Sequence, residues 1–330
     1  MSVHLIAFTD RGEALAKRIC GIYPGDVLRS HGSEARKKWI EDNFKTGNVL
    51  VFVGAMGICI RTIAPYVKDK TTDPAVIVVD EAAKHVIPVL SGHLGGANAF
   101  AQALAEELDS EAVLTTATDV NGLFAADEWA RQNGLKVVNT RRIKYVSSAL
   151  LAGKTVKASS DAGLSGEIPQ GIVMTDEEPD LYIGWRTADE RVLCLVPPMC
   201  ILGIGCRRNT PFETLNEGME NFIREHGIRK EAVKAVATID LKKDEEGLIR
   251  LCRENGWEFI TYSSEALSAL QGSFTASSFV SSVTGVDNVC ERASLLASGE
   301  GGKLVINKSA GNGMTFAMSV CDIQLDWRMK

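Results

Sequence analysis

The sequence predicts an α/β protein in three parts: an N-terminal, mostly parallel sheet covered by helices, a small middle α/β unit, and a C-terminal α/β domain with a mixed sheet. Three observations lead there. Fully apolar runs such as Val49–Val53 and Ala75–Val79 have the length of strands buried on both faces. They alternate with segments of helical period. Pro197-Pro198 then breaks the chain, and the alternation restarts after it. The parts fall at residues 1–133, 134–199 and 200–330. With 330 residues, 45% of them hydrophobic, the chain is long enough for two or three cores.

Taken in order, Val3–Phe8 reads as a strand, and Thr9 or Asp10 can cap the helix carrying Ala14, Leu15, Arg18 and Ile19. Asp26–Leu28 reads as a second strand, and Ser33 as the cap of a polar helix reaching Phe44. Val49–Val53 ends at Gly54-Ala-Met-Gly57, and a helix follows to about Val67. Val76–Val79 and Val86–Leu90 are strands joined by the short, hairpin-like segment 80–85. Ala97–Leu108 reads as a helix, Ala112–Thr116 as a strand and Leu123–Gln132 as a helix. The middle offers Lys136–Val138, a helix over Arg141–Ala152, and strands near Ile172–Met174 and Leu181–Trp185. After the proline pair, Cys200–Ile204, Val233–Thr238, Phe259–Tyr262, Lys303–Asn307 and Thr315–Val320 read as strands. Thr210-Pro-Phe-Glu213 has the form of a capping box for a helix stopped at Gly227. Glu245–Asn255 and Asn288–Ala297 are further helices.

Composition removes several classes. Acidic residues number 42 and basic ones 36, a net charge of −6, so a general nucleic-acid partner is not expected. No apolar run approaches the ~20 residues of a membrane span, and the N-terminus reads as a strand rather than a signal peptide, so a cytoplasmic chain with no membrane partner is expected. The eight cysteines form no CxxC pair and no zinc-ligand spacing, so no protein metal site is expected.

Three loops carry potential chemistry. Leu90-Ser-Gly-His-Leu-Gly-Gly-Ala-Asn98 joins a strand to a helix, where open α/β sheets bind ligands. His93 is its one group that titrates near neutrality, Gly95 and Gly96 offer close backbone amides, and Ser91 and Asn98 add neutral hydrogen-bonding groups. A tight turn with His93 bonded to a carbonyl is the plainer alternative. The loop is not GxGxxG, so a dinucleotide site has little support. Thr115-Thr-Ala-Thr-Asp-Val-Asn121 also precedes a helix, and Asp119 can either orient a histidine or serve as a cap. Gly54, Gly57 and the downstream Arg61 are expected on the same rim, where Arg61 could meet an anion or stand solvated. In the third loop, Gly203-Ile-Gly-Cys-Arg-Arg-Asn-Thr-Pro211, Arg207 and Arg208 stand before a helix N-terminus and suit carboxylates, unless they are simply exposed. The hydroxyl-rich stretch 275–285 and Lys308, read as opening a flexible glycine loop, could join this anion site.

Leu90-Ser-Gly-His-Leu-Gly-Gly-Ala-Asn98, Thr116-Ala-Thr-Asp119 and Gly203-Ile-Gly-Cys-Arg-Arg208 together resemble the CbiG family of the anaerobic cobalamin pathway. Phe279-Val, Thr284-Gly-Val-Asp287, Glu291-Arg-Ala293, Lys308 and Gly313-Met-Thr-Phe-Ala317 fit as well, so the resemblance covers nearly the whole chain. The C-terminal part is similar to the stand-alone CobE protein. The resemblance implies hydrolysis of cobalt-precorrin-5A: water opens a δ-lactone and acetaldehyde leaves. It implies a corrinoid substrate that brings its own cobalt, no separate cofactor, and neighbouring pathway enzymes as further partners. It supplies no catalytic residue set, so the roles come from the residues. His93 is the expected base, Asp119 its orienting partner and the next candidate base, and Ser91 a third catalytic candidate. Gly95 and Gly96 are the expected oxyanion donors, and Asn98, Gly54, Gly57, Arg61, Arg207, Arg208 and Lys308 the expected substrate contacts. A non-catalytic corrinoid carrier remains the alternative.

Overall fold

The computed structural model describes residues 2–69, 71–275 and 286–328. The chain divides into two compact units, Met1–Gln132 with Leu150–Gly153, and Asn133–Ala149 with Lys154–Lys330.

The first unit runs β1 (Ser2–Ala7), α1 (Asp10–Ile22), β2 (Gly25–Arg29), α2 (Ser33–Asn43), β3 (Asn48–Val53), α3 (Met56–Ile63), β4 (Ala75–Val79), β5 (His85–Leu90), α4 (Ala97–Leu108), β6 (Glu111–Ala112), α5 (Ala117–Val120) and α6 (Ala126–Gln132). Its sheet has the order β2-β1-β3-β4-β5-β6. Strand periodicity divides the apolar runs between two faces. Leu5, Val49, Val51, Val53 and Ile77 pack with Leu15, Ile19, Phe100 and Leu104 of α1 and α4. Ile6, Leu50, Phe52 and Val76 pack with Trp39, Ile40, Cys59 and Ile63 of α2 and α3. Thr9 caps α1 by accepting from the Gly12 amide, whereas α2 begins after Gly32, with Ser33 already its first helical residue.

Strand direction corrects one expectation. β1 to β4 are parallel, but β5 pairs antiparallel with β4, and β6 follows β5. Only residues 80–84 join β4 to β5. A parallel return needs a dozen residues or more, so the chain must reverse. Asp80 knits that turn, its carboxylate accepting from the Ala82, Lys84 and His85 amides. The loops after β5 and β6 therefore lie at the opposite end of the sheet from Gly54, Gly57 and Arg61. A strand of this length puts roughly 17–20 Å between the two ends. Ser91 beyond β5 accordingly bonds Asp73 just before β4.

The segment after β6 is less regular than expected: only Glu111–Ala112 pairs as strand, and the helix ending at Gln132 begins at Ala126.

In the second unit, β7 (Lys136–Val138), β8 (Val156–Ser160), β10 (Ile172–Met174), β11 (Leu181–Ile183) and β12 (Leu193–Val196) form a sheet of order β10-β8-β11-β12-β7. The helix α7 (Ile143–Leu151) follows a short 3-10 turn, and β9 (Gly163–Ser165) lies apart from the sheet. Strands β8 and β12 have no counterpart in the sequence reading.

The rest comprises β13 (Cys200–Cys206), α8 (Phe212–Glu225), β14 (Val233–Ile239), α9 (Glu246–Asn255), β15 (Glu258–Tyr262), α10 (Ser264–Ala269), α11 (Val289–Ala297), β16 (Lys303–Gly311), β17 (Met314–Val320) and β18 (Gln324–Asp326). Its mixed sheet has the order β15-β14-β13-β17-β16, with β17 antiparallel to both neighbours. Helix α11 comes so close to β13 that a side chain at Gly203 would strike the Cys290 carbonyl. Tyr182, Trp185, Cys194 and Val196 share one core with Leu202, Leu215, Phe222, Val236 and Met318, so residue 200 lies within a continuous apolar interior. The C-terminal β18 pairs with β9.

Two further expectations change here. The capping box does not form: Pro211 is the N-cap of α8, with no side-chain cap bond, and the Thr210 hydroxyl donates to the Arg207 carbonyl. Lys308 lies within β16 rather than in a flexible loop, and the turn is formed by residues 312–313.

Candidate active site

The loop between β5 and α4 folds tightly onto itself. Ser91 takes a left-handed φ of 56°, and Gly95 packs so closely on Ser91 that a Cβ there would collide with it. The loop's carbonyls cap α4: Gly96 N donates to His93 O, Ala97 N to Ser91 O and Asn98 N to Gly92 O. The Gly96 amide is therefore already engaged and is no oxyanion donor. The Ser91 hydroxyl donates to Asp73 O at 3.0 Å and is buried, which makes it an anchor for the loop.

Helix α5 is one turn of chain beyond β6, and it brings Asp119 to His93. His93 Nε2 lies 3.1 Å from Asp119 Oδ2 and 3.4 Å from Thr118 Oγ1. The same Oδ2 accepts from Asn98 Nδ2 at 2.8 Å, and that amide also reaches Thr116 Oγ1 at 3.2 Å. Asn98 thus holds Asp119 in place. On the other side of the ring, His93 Nδ1 faces Asp127 Oδ1 at 3.5 Å. The three side chains grade from buried to open, at 6% exposed for Asp127, 13% for His93 and 23% for Asp119.

This arrangement fixes what each group can do. An acceptor faces each ring nitrogen: Nε2 is hydrogen-bonded to Asp119, and Nδ1 approaches Asp127 to 3.5 Å without completing a hydrogen bond. Asp119 Oδ1 makes no hydrogen bond among the described residues. It is the open acceptor of the cluster.

Asp127 is the residue the sequence reading missed. Its only trace in the sequence is two carboxylates among apolar neighbours in Ala126-Asp-Glu-Trp-Ala130, and the structure buries all five residues. Glu128 accepts from Arg131 Nη2 at 2.6 Å, and the Arg131 guanidinium lies against Gly96.

The other expected residues lie elsewhere. Arg61, at the far end of the sheet, folds its guanidinium over Gly57, and Gly54 sits against the Phe8 ring. In the second unit, Arg207 and Arg208 are exposed and form no ion pair among the described residues. Arg207 lies over Gly313 in the β16–β17 turn. The Lys308 amide donates to buried Glu291 at 2.6 Å, and Glu291 also accepts from Thr275 N at 2.8 Å. The hydroxyl-rich stretch continues through residues 276–285, which lie outside the described residues, as do Phe279 and Thr284. Among the described residues, no group of three or more His, Cys, Asp or Glu side chains is placed to hold a metal ion, and no helix is long and apolar enough to cross a membrane.

Comparison with known proteins places this architecture. Residues 38–119 match the cobalamin synthesis G N-terminal family, 124–197 the cobalamin biosynthesis central region, and 200–319 the cobalamin synthesis G C-terminus. A cobalt-precorrin-5A hydrolase of Salmonella typhimurium is 35% identical, with 97% of each chain covered. A protein of the same name from Priestia megaterium is 30% identical over 82% of this chain and 78% of its own. A solved cobalamin biosynthesis protein G homolog from Sulfolobus solfataricus aligns over 97% of both chains at 21% identity and a TM-score of 0.41. With all three regions present in order and a relative 35% identical over 97% of both chains, the chain belongs to the CbiG family.

Proposed function

We propose that this chain is a cobalt-precorrin-5A hydrolase that opens the δ-lactone of a cobalt-bearing, ring-contracted corrinoid with water and releases acetaldehyde. The observation that carries the reading is the Asp119–His93 pair, set in a chain that matches a cobalt-precorrin-5A hydrolase along 97% of both lengths. Lactone opening is acyl transfer to water and needs a base. Asp119 Oδ1 takes the proton of the attacking water, whose oxygen joins the lactone carbonyl as the ring C–O bond breaks. The freed hydroxyl then loses its proton and becomes the carbonyl of acetaldehyde. The electron pair of the carbon–carbon bond passes to the macrocycle, which is protonated. Cobalt arrives and leaves with the substrate.

Arg207, Arg208 and Lys308 are suited to the peripheral carboxylates of such a macrocycle, because among the described residues none of them forms an ion pair with the chain's own acids. We place the reaction in the cytoplasm, in keeping with eight free thiols, and in sequence with enzymes acting on the same macrocycle. Mixing the protein with cobalt-precorrin-5A should release acetaldehyde. A change in corrinoid absorbance without acetaldehyde would instead identify a carrier. Arg207→Ala and Arg208→Ala should each weaken corrinoid binding about ten- to a hundredfold, read by absorbance titration.

A further inference from the structure

We propose that Asp127 is a positioning residue: it holds the Nδ1 side of His93, so that Nε2 is aimed at Asp119 and Asp119 presents Oδ1 to water. The proposal rests on the hydrolase reading and extends it to a residue outside the expected set.

Three features support it. Asp127 is buried, its side chain 6% exposed, and its Oδ1 has no hydrogen bond within the 3.5 Å that separates it from His93 Nδ1. A buried carboxylate without a partner is costly, and His93 is the one cation-forming side chain that its ion pairs include among the described residues. A contact of that length suits a free enzyme, in which hydrogen bonds of the site tighten when substrate arrives. The second feature is the helix that carries it. Asp127 faces His93 from α6, while Arg131 of the same helix, tied to Glu128, lies against Gly96. One buried turn of helix thus braces both the ring and the loop that carries it.

The third feature is the set of groups around the ring. The charged groups facing the ring are Asp119 from α5 and Asp127 from α6, with the Thr118 hydroxyl beside Nε2. With an acceptor at each end, the ring is held from both sides, and Nε2 is kept on Asp119 Oδ2 while Oδ1 stays open to water. Without Asp127, the ring is free to rotate, and the aim at Asp119 loosens.

The test uses the full chain labelled with ¹⁵N-histidine. Five histidines are present, and His93→Gln assigns the signal of interest. The expected wild-type signature is a His93 Nδ1 that carries a proton directed at Asp127. Asp127→Asn should shift that Nδ1 resonance. It should also lower kcat for acetaldehyde release about a hundredfold with KM within about twofold, because the loss falls on the transition state. Asp127→Glu should restore part of kcat. An Asp127→Asn protein with wild-type kcat, or with lowered kcat but unchanged His93 nitrogen shifts, overturns the proposal. If that variant does not fold, the wild-type spectrum decides, and a His93 lacking the Nδ1 proton counts against it. If the wild type releases no acetaldehyde, the hydrolase reading fails, while the nitrogen shifts still report whether Asp127 holds the ring.

Discussion

An imidazole has two nitrogens, and in His93 both face carboxylates. That placement makes Asp119, rather than the histidine, the proposed base to test. Asp119→Asn should lower kcat roughly 10²–10⁴-fold with little change in KM, since an amide keeps the hydrogen bonds but takes up no proton. Arg61→Ala, at the other end of the sheet, should leave both constants within about twofold. Single-turnover acetaldehyde release measures the pair of variants. A large loss in the arginine variant with a small one in Asp119→Asn would reverse the assignment. The histidine and Asp119 were legible in the sequence because a glycine-rich turn and a hydroxyl-flanked acid each follow a strand. Asp127 was not, because its helix reads as an ordinary surface segment until the burial of Ala126 and Trp129 on either side is known.

At the level of elements, apolar runs were read well and direction poorly. Val49–Val53 and Ala75–Val79 are strands because only a sheet covered on both faces hides every side chain of such a run. Strand β8, Val-Lys-Ala-Ser-Ser, lacked that signal because its polar residues serve pairing and loop bonds rather than a core. The rim of the first sheet was misread because Gly54 and the His93 loop both follow strands, and only the shortness of the 80–84 turn separates them. Asp80 makes that turn testable. Burial raises its carboxyl, but the His85, Lys84 and Ala82 amides outweigh burial and hold it below the ordinary value. A group depressed in the folded state stabilises above its unfolded value, about 3.9, and loses that contribution as the pH falls through the folded one. The urea midpoint of wild type should therefore exceed that of Asp80→Asn at pH 7, and the gap should narrow at pH 3. An equal gap at both would mean the amides contribute nothing through charge.

At the scale of the whole molecule, the second unit joins two sheets through one interior. Trp185, 6% exposed, sits beside β12 residues and α8 residues in that core, and its carbonyl accepts from Arg229 N. Trp185→Ala should cost about 3–5 kcal/mol. The loss should appear in one cooperative transition that carries both the β7–β12 and β13–β17 sheets, followed by hydrogen exchange in urea. Separate transitions for the two sheets, with only one shifted, would show that each folds alone.

The turn at residues 80–84 has a consequence for comparing chains of this kind. Its length acts as a topological switch. Were it long enough to hold a crossover helix, β5 could run the other way with no change to its own residues, and the His93 loop would emerge at the opposite edge, beside Gly54. Chains could then share every motif and still carry their chemistry at opposite ends of the sheet. The spacing between the fourth strand and the histidine motif is accordingly a quantity to compare before any site residue is aligned.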